Sequence, residues 1–98
     1  MVAKLIESFK QYVTQGGKSY IADVNIWWVE DKRYRDNIKY SLVFIEPLSG
    51  RKVLMDNHYP KNPHVHLDDE EFDYEYKNTD LLIDDYKKFV LQHFGVVL

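Results

Sequence analysis

Twelve residues, Met55-Asp-Asn-His-Tyr-Pro-Lys-Asn-Pro-His-Val-His66, hold three of the chain's four histidines together with lysine, aspartate and asparagine. Pro60 and Pro63 stiffen the path between them. So many hydrogen-bonding and titratable groups in one short run point to a site. His64 and His66 are two apart, so in extended chain both rings project to one side, roughly 6 to 7 Å apart at the backbone. That spacing suits two kinds of chemistry. With His58 and one of Asp56 or Asp68, the pair would bind a divalent metal, since imidazole and carboxylate sets hold zinc, manganese or iron. Alternatively, one imidazole acts as general base and the other as general acid, because an ordinary pKa of about 6.5 suits proton transfer at neutral pH. Lys61 would then stabilise developing negative charge, as in phosphodiester cleavage. Asp56 would orient a histidine, and Asn57 would hold a tight turn or donate to substrate. Loops between strands also use Asp, Asn, Pro and His as plain turn formers, so residue types alone leave these readings open.

The elements that must position this run are read from periodicity. Val2, Leu5, Ile6, Phe9, Tyr12 and Val13 recur at spacings of three and four, which predicts an N-terminal helix stopped by Gly16-Gly17. The rival reading is a strand with Leu5, Phe9 and Val13 on one side. Tyr20 to Val29 alternates as a strand, so Trp27 and Trp28 point to opposite faces and one of them is expected in the core. Glu30 to Asn37 is a polar connection in which Arg33 and Arg35 could meet a phosphate with their forked donors. Ile38 to Glu46 is apolar on both faces, which argues for a central strand. Pro47-Leu-Ser-Gly50 is a tight turn, and Arg51 to Asp56 is the strand that delivers the histidine run.

After His66, Phe72, Tyr74 and Tyr76 alternate with Asp73, Glu75 and Lys77, which predicts a half-buried strand. Asn78 or Thr79 caps a final helix with Leu82, Ile83, Tyr86, Phe89, Val90 and Phe94 on its buried stripe, and Gly95 ends it. His93 lies in the last turn, where C-terminal carbonyls attract it. The apolar tail Val96-Val97-Leu98 packs back or meets a partner. The expected architecture is therefore a single α+β domain: an antiparallel sheet of about four strands with an N-terminal and a C-terminal helix on one face.

Ninety-eight residues with 45% hydrophobic content and eight tyrosines make one ordinary globular domain. The chain has no cysteine, which excludes disulfides and thiolate chemistry and suits the cytoplasm. The N-terminus is too charged for a signal peptide, and no apolar run approaches the ~18 residues of a membrane span. The net charge of −3 is unevenly spread: residues 1–66 carry ten Lys and Arg against seven Asp and Glu, and residues 67–98 carry three against nine. One reading is a solvated acidic helix face and turn, and the rival is a mildly basic sheet surface that faces an anionic ligand while the acidic part points elsewhere. Glycine-rich phosphate loops, nucleophile elbows, helical His-Glu-x-x-His and EF-hand loops are missing, which argues against nucleotide- and cofactor-dependent enzymes.

Lys39-Tyr-Ser-Leu-Val-Phe44, the Gly50 turn, Asp56, Asn57, His58, Pro60, Lys61, His64 and His66, and the downstream aromatic strand and helix resemble the TumE-like proteins. These are small prokaryotic proteins, many of them assigned as the toxin of a toxin–antitoxin pair. The resemblance runs from about Tyr20 to Val90. Tyr59 stands where a second histidine is common, and Asn62-Pro63 where glycine or histidine is frequent. The resemblance implies a stable complex with a cognate antitoxin, often a helix-turn-helix protein, and a nucleic-acid target.

Two readings follow. In the first, the chain is a toxin that cleaves RNA without metal or cofactor. His64 and His66 are the acid–base pair, Lys61 the oxyanion stabiliser, His58 a further member, and Arg33, Arg35 and Arg51 the phosphate contacts. In the second, the histidine run is the recognition surface of a non-catalytic interaction module, with His58, His64 and His66 as candidate metal ligands. The acidic helix and apolar tail would then meet a partner or form a homodimer.

Overall fold

Gly16 and Gly17 turn a hairpin rather than end a helix. Both have left-handed backbone angles, φ 61° and 76°, as a tight two-residue hairpin loop of type I′ requires. They join β1 (Ala3–Gln15) to β2 (Lys18–Val29), with Gln15 opposite Lys18. The expected N-terminal helix is therefore a strand. Its helix-like spacing has a local cause: the register shifts between Leu5 and Glu7, so Ile6 bulges and the alternation slips by one residue.

The computed structural model describes residues 2–98. After β2 come a 3₁₀ turn at Arg35–Asn37, β3 (Ile38–Ile45), β4 (Lys52–Asp56), β5 (His64–Leu67), β6 (Glu70–Asp73) and helix α1 (Thr79–Phe94). The strands form one antiparallel sheet in the order β1-β2-β3-β4-β5-β6, each paired with its neighbour in sequence. The architecture is α+β with a C-terminal helix, but the sheet has six strands rather than about four. β1 and β5 are the additions. The strand expected over Phe72, Tyr74 and Tyr76 is a correction as well: β6 stops at Asp73, and the chain then leaves the sheet so that Tyr76 can bury against Tyr40, ring centroids 5.6 Å apart.

Period-two alternation assigns each strand a buried face. Tyr20, Ala22, Val24 and Ile26 of β2, Tyr40, Leu42 and Phe44 of β3, Val53 and Met55 of β4 and Val65 of β5 are all buried on the side covered by α1. The helix contributes Leu82, Tyr86 and Val90, each worth about 1.5–3 kcal/mol of burial. Asn78 caps its start, Oδ1 accepting the Leu81 N–H at 2.9 Å. Gly95 closes its end with φ 71° and an N–H donated to Leu91 O at 2.8 Å. Val96 of the tail packs back into the core.

Neither tryptophan joins that core: Trp27 is half-buried and Trp28 is 36% exposed. The opposite sheet face has no second layer among the described residues, and Val43, Ile45 and Leu54 are only half-buried there. Among the described residues no helix is long and apolar enough to cross a membrane.

Candidate functional site

Strand pairing brings the chemistry together. Asp56 stands opposite His64 and Leu54 opposite His66 between β4 and β5, and His66 stands opposite Glu71 between β5 and β6. Val53, Met55 and Val65 are turned to the core, so alternation turns Asp56, His64, His66 and Glu71 to the uncovered face. The two imidazole rings meet edge-to-face with centroids 4.8 Å apart. The same-side projection expected for His64 and His66 is what β5 produces.

His64 is the more enclosed ring, its side chain 7% exposed. Its Nδ1 lies 2.9 Å from the Asn62 carbonyl oxygen, which only accepts, so Nδ1 carries the proton in that contact. Nε2 then faces the carboxylates, 3.3 Å from Asp56 Oδ1 and 3.8 Å from Glu71 Oε1. His66 Nε2 also lies 3.8 Å from Glu71 Oε1. Lys61 Nζ donates to the same Glu71 oxygen at 3.0 Å. That ammonium holds the Glu71 carboxyl below its ordinary value, with His66 and His64 adding to the effect.

A cleft of about 660 Å³ adjoins this face at the end of the sheet where β4 finishes and β5 begins. Lys61, Asn62 and Asp73 belong to both places: they line the cleft, and each pairs with or bonds a member of the histidine cluster. Arg33, Arg35 and Lys61 give it positive charge, and Tyr34, Tyr59, Tyr74 and Tyr76 give it aromatic walls. Arg33 is fixed by a forked contact with Asp31, the shortest at 2.6 Å, and lies 4.2 Å above the Tyr59 ring. Its guanidinium pulls the Asp31 carboxyl down to about 2. Arg35 donates to the Tyr76 carbonyl at 2.8 Å.

Other residues singled out in the sequence lie elsewhere or do structural work. Asn57 is buried: its Oδ1 accepts the Tyr40 N–H at 2.9 Å and its Nδ2 donates to Ile38 O at 2.8 Å, so it serves β3 in place of a strand partner. His58 faces a second, smaller cleft with Trp27, Lys39 and Tyr59. Arg51 lies at the opposite end of the sheet, where it donates to His93 O at 3.1 Å and pairs with Asp68 at 3.5 Å. There His93 Nε2 lies 2.9 Å from Asp68 Oδ2. Partial burial raises the Asp68 carboxyl, but the contacts with His93, the Lys52 N–H and Arg51 outweigh it and leave the group below its ordinary value. The Arg51, Asp68 and His93 contacts thus pin the end of α1 to the β5–β6 turn.

Glu71 is the residue that sequence reasoning missed. Asp68, with φ 55°, and Asp69 form the turn between Leu67 and Glu70, and this short hairpin places Glu71 across from His66. The signal was the two-residue gap between His66-Leu67 and Glu70-Glu71, hidden inside a run of four acidic residues.

Comparisons of the chain with protein-family models, with curated proteins and with solved structures find no match.

Proposed function

We propose that this protein is the toxin of a toxin–antitoxin pair, as the TumE-like resemblance implies, and that it acts by cleaving RNA. The observation that carries the reading is the paired His64 and His66 rings on an open sheet face, beside a cleft lined with Arg33, Arg35, Lys61 and tyrosines. Cationic side chains suit a phosphate backbone and aromatic rings suit unstacked bases, the combination that single-stranded RNA meets in its binding proteins. The 2′-hydroxyl of RNA is an internal nucleophile, so the protein needs to move protons and steady charge. One imidazole takes the 2′-hydroxyl proton as the 2′-oxygen attacks phosphorus. The other gives a proton to the departing 5′-oxygen, leaving a 2′,3′-cyclic phosphate and a free 5′-hydroxyl. Asp56 orients His64, and Lys61 meets the phosphate oxygens where negative charge builds. Replacing the nucleotide at a cleavage position by its 2′-deoxy form tests this chemistry. The bond should then survive while neighbouring bonds are cut, and continued cleavage at the deoxy position would refute it.

β1 is the surface that suits the cognate antitoxin. It is an edge strand with one side of its backbone unpaired, and Leu5, Ile6 and Tyr12 are 57%, 54% and 73% exposed along it. An added strand from a partner would pair with that edge and cover those side chains.

A further inference from the structure

We propose that His64, His66 and Glu71 form a zinc site on the open face of the sheet, with water completing the shell, and that zinc bound there blocks RNA cleavage. The regulatory half rests on the proposed cleavage, whereas the site itself does not.

The ligand atoms His64 Nε2, His66 Nε2 and a Glu71 carboxylate oxygen all lie within 4.8 Å of one another. The two nitrogens are each 3.8 Å from Glu71 Oε1, and Asp56 Oδ1 is 3.3 Å from His64 Nε2. Zinc bonds of about 2.0–2.2 Å at tetrahedral angles separate ligand atoms by roughly 3.3–3.6 Å. The 3.8 Å spacings to Glu71 lie just outside that range, and ligand atoms up to 4.8 Å apart must close by about 1 Å, which side-chain rotation on fixed strands supplies. Two imidazoles and one carboxylate form a donor set of the kind zinc accepts with a water in the fourth position.

The surroundings are those of ligands held in place. His64 Nδ1 is engaged by the Asn62 carbonyl, the backbone contact that commonly fixes a zinc-binding imidazole with its other nitrogen turned to the ion. All three side chains stand on paired strands, β5 and β6, so their relative placement is set by the ladder and not by a loop. His58, the third histidine of the run, is outside the group.

Lys61 is the internal competitor. Its ammonium lies 3.0 Å from the Glu71 oxygen that would bind the ion, and its side chain is 62% exposed. Zinc would displace it into water and would occupy both Nε2 atoms, leaving neither imidazole free to move a proton. Loss of the competing cation should therefore tighten zinc binding.

Calorimetric titration of the full chain with zinc chloride tests the site, with circular dichroism confirming that each variant is folded. Glu71 lies on the exposed edge strand and Lys61 in a loop, so Glu71→Gln and Lys61→Gln leave the core untouched. The expected result is one ion per chain, weakened by about tenfold or more in Glu71→Gln and His66→Ala and strengthened in Lys61→Gln. Absence of binding, or binding indifferent to Glu71→Gln and His66→Ala, would overturn the site. Where RNA is cleaved, zinc should suppress cleavage at the concentrations that saturate the calorimetric site, and acceleration by zinc would overturn the inhibitory role. Zinc binding as described by a protein that leaves RNA uncut would support the site and overturn the proposed cleavage.

Discussion

His64 and Asn57 show how side chains seven residues apart on one run acquire opposite duties. Asn57 has its oxygen and an amide hydrogen engaged by the backbone of β3, which leaves it little to offer a substrate. A buried amide that satisfies two strand groups is worth about 1–3 kcal/mol in desolvation avoided. His64 is at least as buried, yet only Nδ1 is engaged by backbone, and Nε2 faces Asp56 and the open surface. Burial alone does not separate the two, but their hydrogen-bond partners do. The Asp31–Arg33 pair beside the cleft permits a pH test. Arg33 lowers the folded-state pKa of Asp31 from 3.8 to about 2, so the pair's contribution is complete above the unfolded value and is lost as pH falls towards the folded one. The thermal midpoint of the parent should exceed that of Asp31→Asn most clearly above pH ~4, and the gap should close between pH ~4 and ~2. A gap that stays constant down to pH ~2 would contradict the assignment.

Among the elements, β2, β3 and α1 were legible because each buries one face and exposes the other over enough residues for a single period to dominate. β1 was not. Adjacent apolar residues at Leu5-Ile6 and Tyr12-Val13 mimic a helical stripe, because nearly all of this edge strand is exposed on both faces and only Val13 packs against the helix-covered core. β5 was hidden by its brevity, since four residues between a proline-rich loop and an acidic turn carry almost no periodicity. The histidine run was nonetheless recognisable from composition, as was the same-side placement of His64 and His66. Glu71 was beyond reach because it depends on cross-strand register, which residue spacing encodes only through the Asp68-Asp69 turn. The Ile6 bulge, Lys4 and Lys10 limit indiscriminate pairing of β1. The proposed antitoxin contact there predicts that Ile6→Lys abolishes co-purification of such a partner while leaving the circular dichroism of this chain unchanged. Undiminished complex formation by that variant would remove β1 from the interface.

At the scale of the molecule, thirteen β1 residues at roughly 3.3 Å each match the long axis of 43 Å, and nearly all of that strand is exposed. The acidic C-terminal third expected to point away from an anionic ligand is divided. Three of its nine acidic residues lie on α1, the other six precede the helix, and of these Glu71 and Asp73 line the histidine cluster and the cleft. The basic groups around them belong to the N-terminal two thirds, so the site is built at the meeting of the two charge regions. RNA would have to enter past Arg33, Arg35 and Lys61, and its phosphate would compete with Glu71 for the Lys61 ammonium. The most direct measurement is cleavage of single-stranded RNA by the purified chain, with and without chelator, beside the His64→Ala/His66→Ala double variant confirmed to be folded. The account predicts cleavage that persists in chelator and disappears in the double variant. Cleavage by the folded double variant at the parent rate, or no cleavage by the parent in either condition, would contradict it.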